Sequence, residues 1–141
     1  MKINASGLFL IMSLLAVGSL SYANAQEDKI VNDDDIKITH FEEFNYPTFA
    51  HAARIEGVVV VRVILNDRGD VVKAMAISGK EPLIRACIPS VMKWKFQPNA
   101  RKMAVIVFNF TMPIGACDSS LFMLQGANFV TIIACPPPVE P

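Results

Sequence analysis

Cysteine and histidine are the residues of this 141-residue chain that could carry out nucleophilic or metal chemistry. Cys87 with His51 would form a thiol–imidazole pair, in which the base activates a thiolate nucleophile. However, Cys87 lies in a stripe of apolar residues, where a buried structural thiol is expected. His40 and His51 lack the C-x-x-C or H-x-x-x-H spacing of a zinc site. We therefore predict a non-enzymatic protein with no catalytic residue, no metal site and no cofactor.

The charges of the chain are balanced, with 13 Lys and Arg residues against 13 Asp and Glu residues. Such a chain has no strong field with which to attract a phosphate backbone, so nucleic-acid binding is not expected. The run Asp33-Asp34-Asp35 lacks the spaced oxygens and the glycine of a calcium loop. We interpret it as a solvated part of an acidic, irregular segment over residues 26–44.

Residues 1–25 have the pattern of a secretory signal peptide. Lys2 precedes an apolar run from Leu8 to Leu20, and Ala23-Asn24-Ala25 supplies an A-x-A cleavage site. The apolar run is shorter than the roughly 20 residues that cross a bilayer. We predict cleavage after Ala25, a periplasmic or secreted location and no stable membrane anchor afterwards. A retained leader that tethers the protein is the alternative.

Export places the three cysteines of the chain in an oxidising compartment. Cys117 and Cys135 flank two strand-like runs, Leu121–Leu124 and Phe129–Ala134, around a Gln-Gly-Ala-Asn turn. A three-residue loop, Gln125–Ala127, would place these cysteines opposite each other, whereas a four-residue loop would require a bulge. We predict a Cys117–Cys135 disulfide that leaves the third cysteine as a free thiol.

The region 45–113 has the periodic signals of regular secondary structure. They predict, in order, a helix after Tyr46-Pro47 that ends at Gly57, strands at Gly57–Asn66 and Val71–Ile77, a helix from Pro82 to about Trp94, and a strand over residues 102–112. Pro89 is expected to kink or split the second helix. The predicted core faces of the first and third strands are Val59, Val61, Val63 and Leu65, and Ala104, Ile106, Phe108, Phe110 and Met112.

This order predicts an α+β fold with two layers. A three-stranded antiparallel sheet would be packed by two helices, in the order helix-strand-strand-helix-strand. A C-terminal β-hairpin and a proline-rich tail would follow over residues 114–141.

A set of spaced motifs runs through residues 46–112. They are Tyr46-Pro47, Ala53, the stretch from Arg54 to Gly57, the turn from Asp67 to Gly69, Ser78-Gly79, and the run KWKFQP from Lys93 to Pro98. Together they resemble the TonB C-terminal domain family. The resemblance implies a periplasmic module linked to TonB-dependent transmembrane transport, here without the usual membrane anchor and proline-rich spacer. Its partner would be a protein or peptide, such as an outer-membrane transporter segment, added as a strand to an open sheet edge.

The resemblance also implies which strand receives the partner. That strand is Met103–Met112. The residues that would flank a bound peptide are Val105, Val107, Asn109 and Thr111, with Tyr46 and Pro47 close by. The added hairpin would either cover this edge or extend the sheet, and both arrangements are consistent with the sequence. A structural or cell-wall-associated domain with a capped sheet edge and no transport role is the alternative function.

Overall fold

The computed structural model describes residues 36–115 and 117–139. Their elements, in chain order, are β1 (Ile38–His40), α1 (Thr48–Ala52), β2 (Gly57–Leu65), β3 (Val71–Ser78), α2 (Glu81–Val91), β4 (Lys95–Phe96), β5 (Met103–Thr111), β6 (Leu121–Gln125) and β7 (Phe129–Ile133). The predicted signal peptide and Asp33-Asp34-Asp35 lie outside the described residues. Within the described ranges, no helix has both the length and the apolar character needed to cross a membrane.

Five strands form one sheet in the order β3-β2-β5-β7-β6. β2 pairs antiparallel with both β3 and β5, whereas β7 pairs parallel with β5 and antiparallel with β6. The α+β class with two helices is confirmed. The prediction of a three-stranded sheet is wrong, because the C-terminal hairpin joins the sheet and converts β5 into its central strand. β1 and β4 form a separate two-stranded sheet.

The described part of the acidic N-terminal segment is more ordered than the sequence predicted. Ile36 is buried in the core, and Ile38 pairs with Phe96 across the β1–β4 ladder. The ring of Phe41 packs edge-on against Trp94, with 5.9 Å between centroids. Apolar side chains interspersed among the acidic ones therefore attach this segment to the domain.

The hydrophobic core lies between the sheet and the two helices. Because side chains alternate along a strand, one face of β2 and one face of β5 point to the same layer. All nine predicted core residues are buried: Val59, Val61, Val63, Leu65, Ala104, Ile106, Phe108, Phe110 and Met112. The predicted core faces are confirmed. Leu83, Cys87 and Val91 bury the facing side of α2.

The helix α2 continues through Pro89, so of the two predicted effects of this proline, a kink or a split, the split is wrong. A proline removes one backbone donor and disturbs the turn before it. Pro89 is tolerated because it lies only two residues before the end of the helix at Val91. Few helical hydrogen bonds follow the one that the proline removes. The N–H groups of Lys93 and Trp94 donate to Ser90 and Val91, at 3.0 and 3.1 Å, and close the end of the helix.

Replacement of Phe108 tests the contribution of this core. Its ring is fully buried and lies 5.7 Å from the rings of both Phe44 and Trp94. We expect Phe108→Ala to lower the free energy of unfolding by about 3–5 kcal/mol, because the removed ring leaves a cavity. Urea denaturation measures the loss. Val105→Ala on the same strand is the control and should cost about 1 kcal/mol or less. Equal losses of unfolding free energy in the two variants would contradict the assignment of Phe108 to the core.

Candidate functional site

The strand predicted to be an open edge, β5, has a partner on both sides. Beyond its ladder with β2, the N–H of Val107 donates to Asn128 O at 2.9 Å, and Thr111 O accepts from the N–H of Ala134 at 3.1 Å. The side-chain amide of Asn128 donates to Val105 O at 3.0 Å. The C-terminal segment therefore occupies the backbone groups that a guest strand would need. The open-edge assignment is wrong for Val107, Asn109 and Thr111, which pair with β7, and the side chain of Asn128 occupies the carbonyl of Val105.

The hairpin that covers β5 is closed by a disulfide. Cys117 and Cys135 are bonded, with 5.3 Å between their Cα atoms, so the predicted pairing is confirmed. The turn has the predicted length but is shifted by one residue, because Gln125 pairs with Phe129 and Gly126 takes the left-handed φ of 64°. The cysteines consequently meet beyond the ends of β6 and β7, not opposite each other within the ladder.

The tail after β7 is held by the end of α1. The Nε2 atom of His51 donates to Cys135 O at 2.5 Å, and the guanidinium of Arg54 donates to Pro137 O at 2.9 Å. These contacts bind the tail to a second element besides the sheet. They also give His51 a structural role that its spacing in the sequence did not indicate.

The thiol of Cys87 has the environment of a structural residue. Its side chain is fully buried, and this burial raises its pKa well above the usual range. A thiol kept protonated is a poor nucleophile. Among residues 36–115 and 117–139, no cluster of three or more His, Cys, Asp and Glu side chains could hold a metal ion.

Of the two outer strands of the sheet, β6 presents the more regular edge. The β2–β3 register shifts twice, between Val60 and Val61 and between Ile64 and Leu65. Such irregularities hinder the pairing of a further strand. The β6–β7 ladder has five consecutive pairs without a shift. An added strand would therefore fit β6 better than β3.

The backbone groups available on β6 follow from the alternation of hydrogen bonds. The backbone groups of Asn128 and Ala134, which flank β7, bond to β5. Along β7, the N–H and C=O groups of the even-numbered residues therefore point to β5, and those of the odd-numbered residues point to β6. Their partners on β6 are the odd-numbered residues. The N–H and C=O groups of Phe122 and Leu124 therefore point away from the sheet, where an extended peptide could bond to them.

A shallow cleft of about 140 Å³ lies at the start of β6. It is formed where the segment before α1 meets the hairpin, and Tyr46, Asn45, Ser120 and Leu121 are among its lining residues. A second cleft shares Asn45, Tyr46 and Ser120 with it and extends to His51. The structure thus places Tyr46 beside β6, while Pro47 caps α1 and accepts the N–H of His51 at 2.8 Å.

Tyr46 is the polar anchor of this cleft. Its hydroxyl donates to Ile55 O at 2.5 Å, and its ring packs edge-on against Phe110 with 5.3 Å between centroids. Burial and, secondarily, the negative charge of Glu56 raise the pKa of Tyr46 to about 12. The neutral phenol is therefore the form that the fold stabilises.

Two comparisons with known proteins give matches. Residues 42–114 match the model of the family described as Gram-negative bacterial TonB protein C-terminal. Among solved structures, the chain is similar to the solution NMR structure of the TonB C-terminal domain of Pseudomonas aeruginosa, with 24% identity and a TM-score of 0.48. That match covers 61% of this chain and 95% of the other. No curated protein matches the chain. The family match ends before β6, so the hairpin lies outside it.

The raised pKa of Tyr46 predicts a loss of stability at alkaline pH. Tyrosine in the unfolded chain ionises near 10.0, whereas in the folded chain it ionises near 12. The stability that the neutral Tyr46 contributes to the fold is thus complete below pH 10.0, and it is lost as the pH rises towards about 12. Phenolate absorbance measures the ionisation of Tyr46, and urea denaturation at each pH measures the free energy of unfolding. The difference between the parent chain and Tyr46→Phe gives the part that is due to Tyr46. Ionisation of folded Tyr46 near the ordinary value would contradict the assignment.

The disulfide that closes the hairpin is expected to raise the unfolding free energy of the domain. Cys117 and Cys135 are separated by 18 residues. We expect the double variant Cys117→Ser with Cys135→Ser to lose about 3 kcal/mol of unfolding free energy, because the open loop gains entropy in the unfolded chain. Urea denaturation with and without reductant measures it. Reductant should destabilise the parent chain to the same extent and leave the double variant unchanged. Equal stability of the parent chain in both conditions would contradict the prediction.

Proposed function

Because the chain belongs to the family of Gram-negative bacterial TonB protein C-terminal domains, we propose that it binds an extended segment of a partner protein at the outer edge of β6. Domains of this family are periplasmic, non-enzymatic protein-interaction modules linked to TonB-type transport. The bound segment would continue the sheet as a sixth strand. Backbone hydrogen bonds would supply the affinity and alternate side chains the specificity.

The observation that carries the proposal is the regular outer row of β6, to which no backbone group of residues 36–115 or 117–139 bonds. Phe122 and Leu124 direct their backbone groups away from β7, and the ladder behind them has no shift. The clefts at Tyr46 and Ser120 lie at the start of this row. They offer a place for side chains of the added strand. Tyr46 lines both clefts and so lies near the proposed binding row, whereas Pro47 lines neither of them.

The partner in this proposal is the periplasmic segment of an outer-membrane transporter. Residues 1–25 would direct export and be removed after Ala25, which leaves the domain free in the periplasm. Binding would then regulate access to the transporter or compete with other proteins for it.

A second candidate function is supported by the covered edge of β5. The row at Val107 and Thr111, which would receive a guest strand in the predicted arrangement, is filled by β7. The Cys117–Cys135 disulfide closes the same hairpin. A structural or cell-wall-associated domain that binds no extended peptide would have such a capped edge.

Amide hydrogen exchange distinguishes the two functions. The isotopically labelled protein is mixed with synthetic peptides that cover the periplasmic N-terminal segments of outer-membrane transporters. On the proposed function, the amides of Phe122 and Leu124 exchange rapidly in the free protein and at least about tenfold more slowly with the peptide. The amides of Val107 and Asn109 are protected in both states.

A matched control uses the same peptide with N-methylated alternate residues, which cannot complete a ladder. It should give no protection at Phe122 or Leu124. Loss of protection over Phe129–Ile133 on peptide addition would indicate that the guest displaces β7, and would contradict binding at β6. Unchanged exchange with every peptide would favour the structural function.

A further inference from the structure

The sheet has an outer face, the side turned away from α1 and α2, and this face is largely apolar. The strand registers place Val60, Val107 and Phe129 side by side on it, with Val58 and Val105 in the neighbouring rows and Leu121 one row beyond Val58. Val58 and Leu121 are each 49% exposed and Phe129 is 37% exposed. Within residues 36–115 and 117–139, both helices lie on the opposite side, where Leu83 and Val91 join the core.

This composition is unusual for a sheet face in water. A face that remains solvated normally carries polar side chains in alternation with the buried ones. Here the parallel pair of β5 and β7 lies within the face, and parallel strands occur mainly where both faces are covered. An exposed apolar patch of this kind, although Asn109 and Thr131 share the row of Val58, marks an interaction surface.

Arg62 defines the chemistry of that surface. It lies on the outer face between Met75 and Val105, its neighbours on β3 and β5. Its Nε atom is buried without a hydrogen-bond partner, and no carboxylate in the described part of the chain forms an ion pair with the guanidinium. A buried donor without an acceptor costs free energy, which hydrogen bonds from the other nitrogens of the guanidinium to a partner can offset.

We propose that the outer face binds an apolar surface of another protein that carries a carboxylate opposite Arg62. A carboxylate matches the planar fork of a guanidinium and is the acceptor that forms its strongest hydrogen bonds. The surrounding valine and phenylalanine side chains would exclude water from the pair. This site uses side chains and does not depend on strand addition at β6.

The charges on the face argue against a second copy of the chain as the occupant. Arg62 and the exposed Lys73 are both positive and lie in adjacent rows. Glu56, at the margin of the face, already accepts from the Met112 N–H and the Thr111 hydroxyl. A second copy that docked through the same face would therefore bring like charge to Arg62.

The test uses three synthetic amphipathic helices that differ at a single position within the apolar stripe, which is Glu, Gln or Lys. Each helix is titrated into the isotopically labelled full chain and followed by amide chemical shifts. We expect the Glu helix to shift the signals of Val60, Val107 and Phe129 and to bind about tenfold more tightly than the Gln helix.

Variants of Arg62 make the test specific. Arg62→Gln should abolish the preference for the Glu helix, and Arg62→Glu should reverse it in favour of the Lys helix. Lys73→Gln, a charge removal on the same face, is the matched control and should keep the preference. Urea denaturation verifies that each variant is folded.

Three results would overturn the proposal. One is equal binding of the Glu, Gln and Lys helices. Another is a set of shifts confined to Phe122 and Leu124, which would assign the helices to the edge of β6. The third is a concentration-dependent dimer that protects the amides of Val107 and Phe129, which would make a second copy the occupant.

Discussion

Every strand inside a sheet has two rows of N–H and C=O groups, and both rows of β5 are paired within its own chain. β2 bonds to one row, and β7 bonds to the other through contacts such as Val107 N–H to Asn128 O. Since buried or paired backbone groups are not available to a guest, this ladder determines where a partner can add a strand. It moves the open edge of the sheet outward by two strands, from β5 to β6.

The position of β7 depends on how the chain returns to the sheet. The row of Thr111, Ile133 and Leu121 runs across β5, β7 and β6, so the connection from β5 to β6 spans about two strand spacings, or roughly 10 Å. β7 then fills the gap between them. Cys117 lies in that connection and Cys135 follows β7, so their disulfide ties the end of the inserted strand to the loop that passes it. Sheet pairing and covalent closure thus hold the same segment.

Features set by neighbouring residues could be predicted from the sequence, and features set by distant pairing could not. Alternation alone identifies the buried faces that include Val61 and Phe108. The Cys117–Cys135 pair also follows from the local hairpin, even though the turn is shifted to Gly126. By contrast, the parallel register of Val107 with Phe129 depends on two segments whose local patterns contain no information about each other. The place of Tyr46 beside β6 depends on that register and could not be predicted either.

The two proposed surfaces recognise different chemistry, yet they share a boundary. The edge of β6 offers backbone groups, which accept many sequences, whereas the outer face offers apolar side chains and the guanidinium of Arg62, which do not. Leu121 belongs to both, since it lies on β6 and on the outer face. A strand added to β6 would project alternate side chains onto that face and enlarge it. Occupation of the edge would therefore change the surface available to a second partner, so the two binding events would be coupled through the sheet itself.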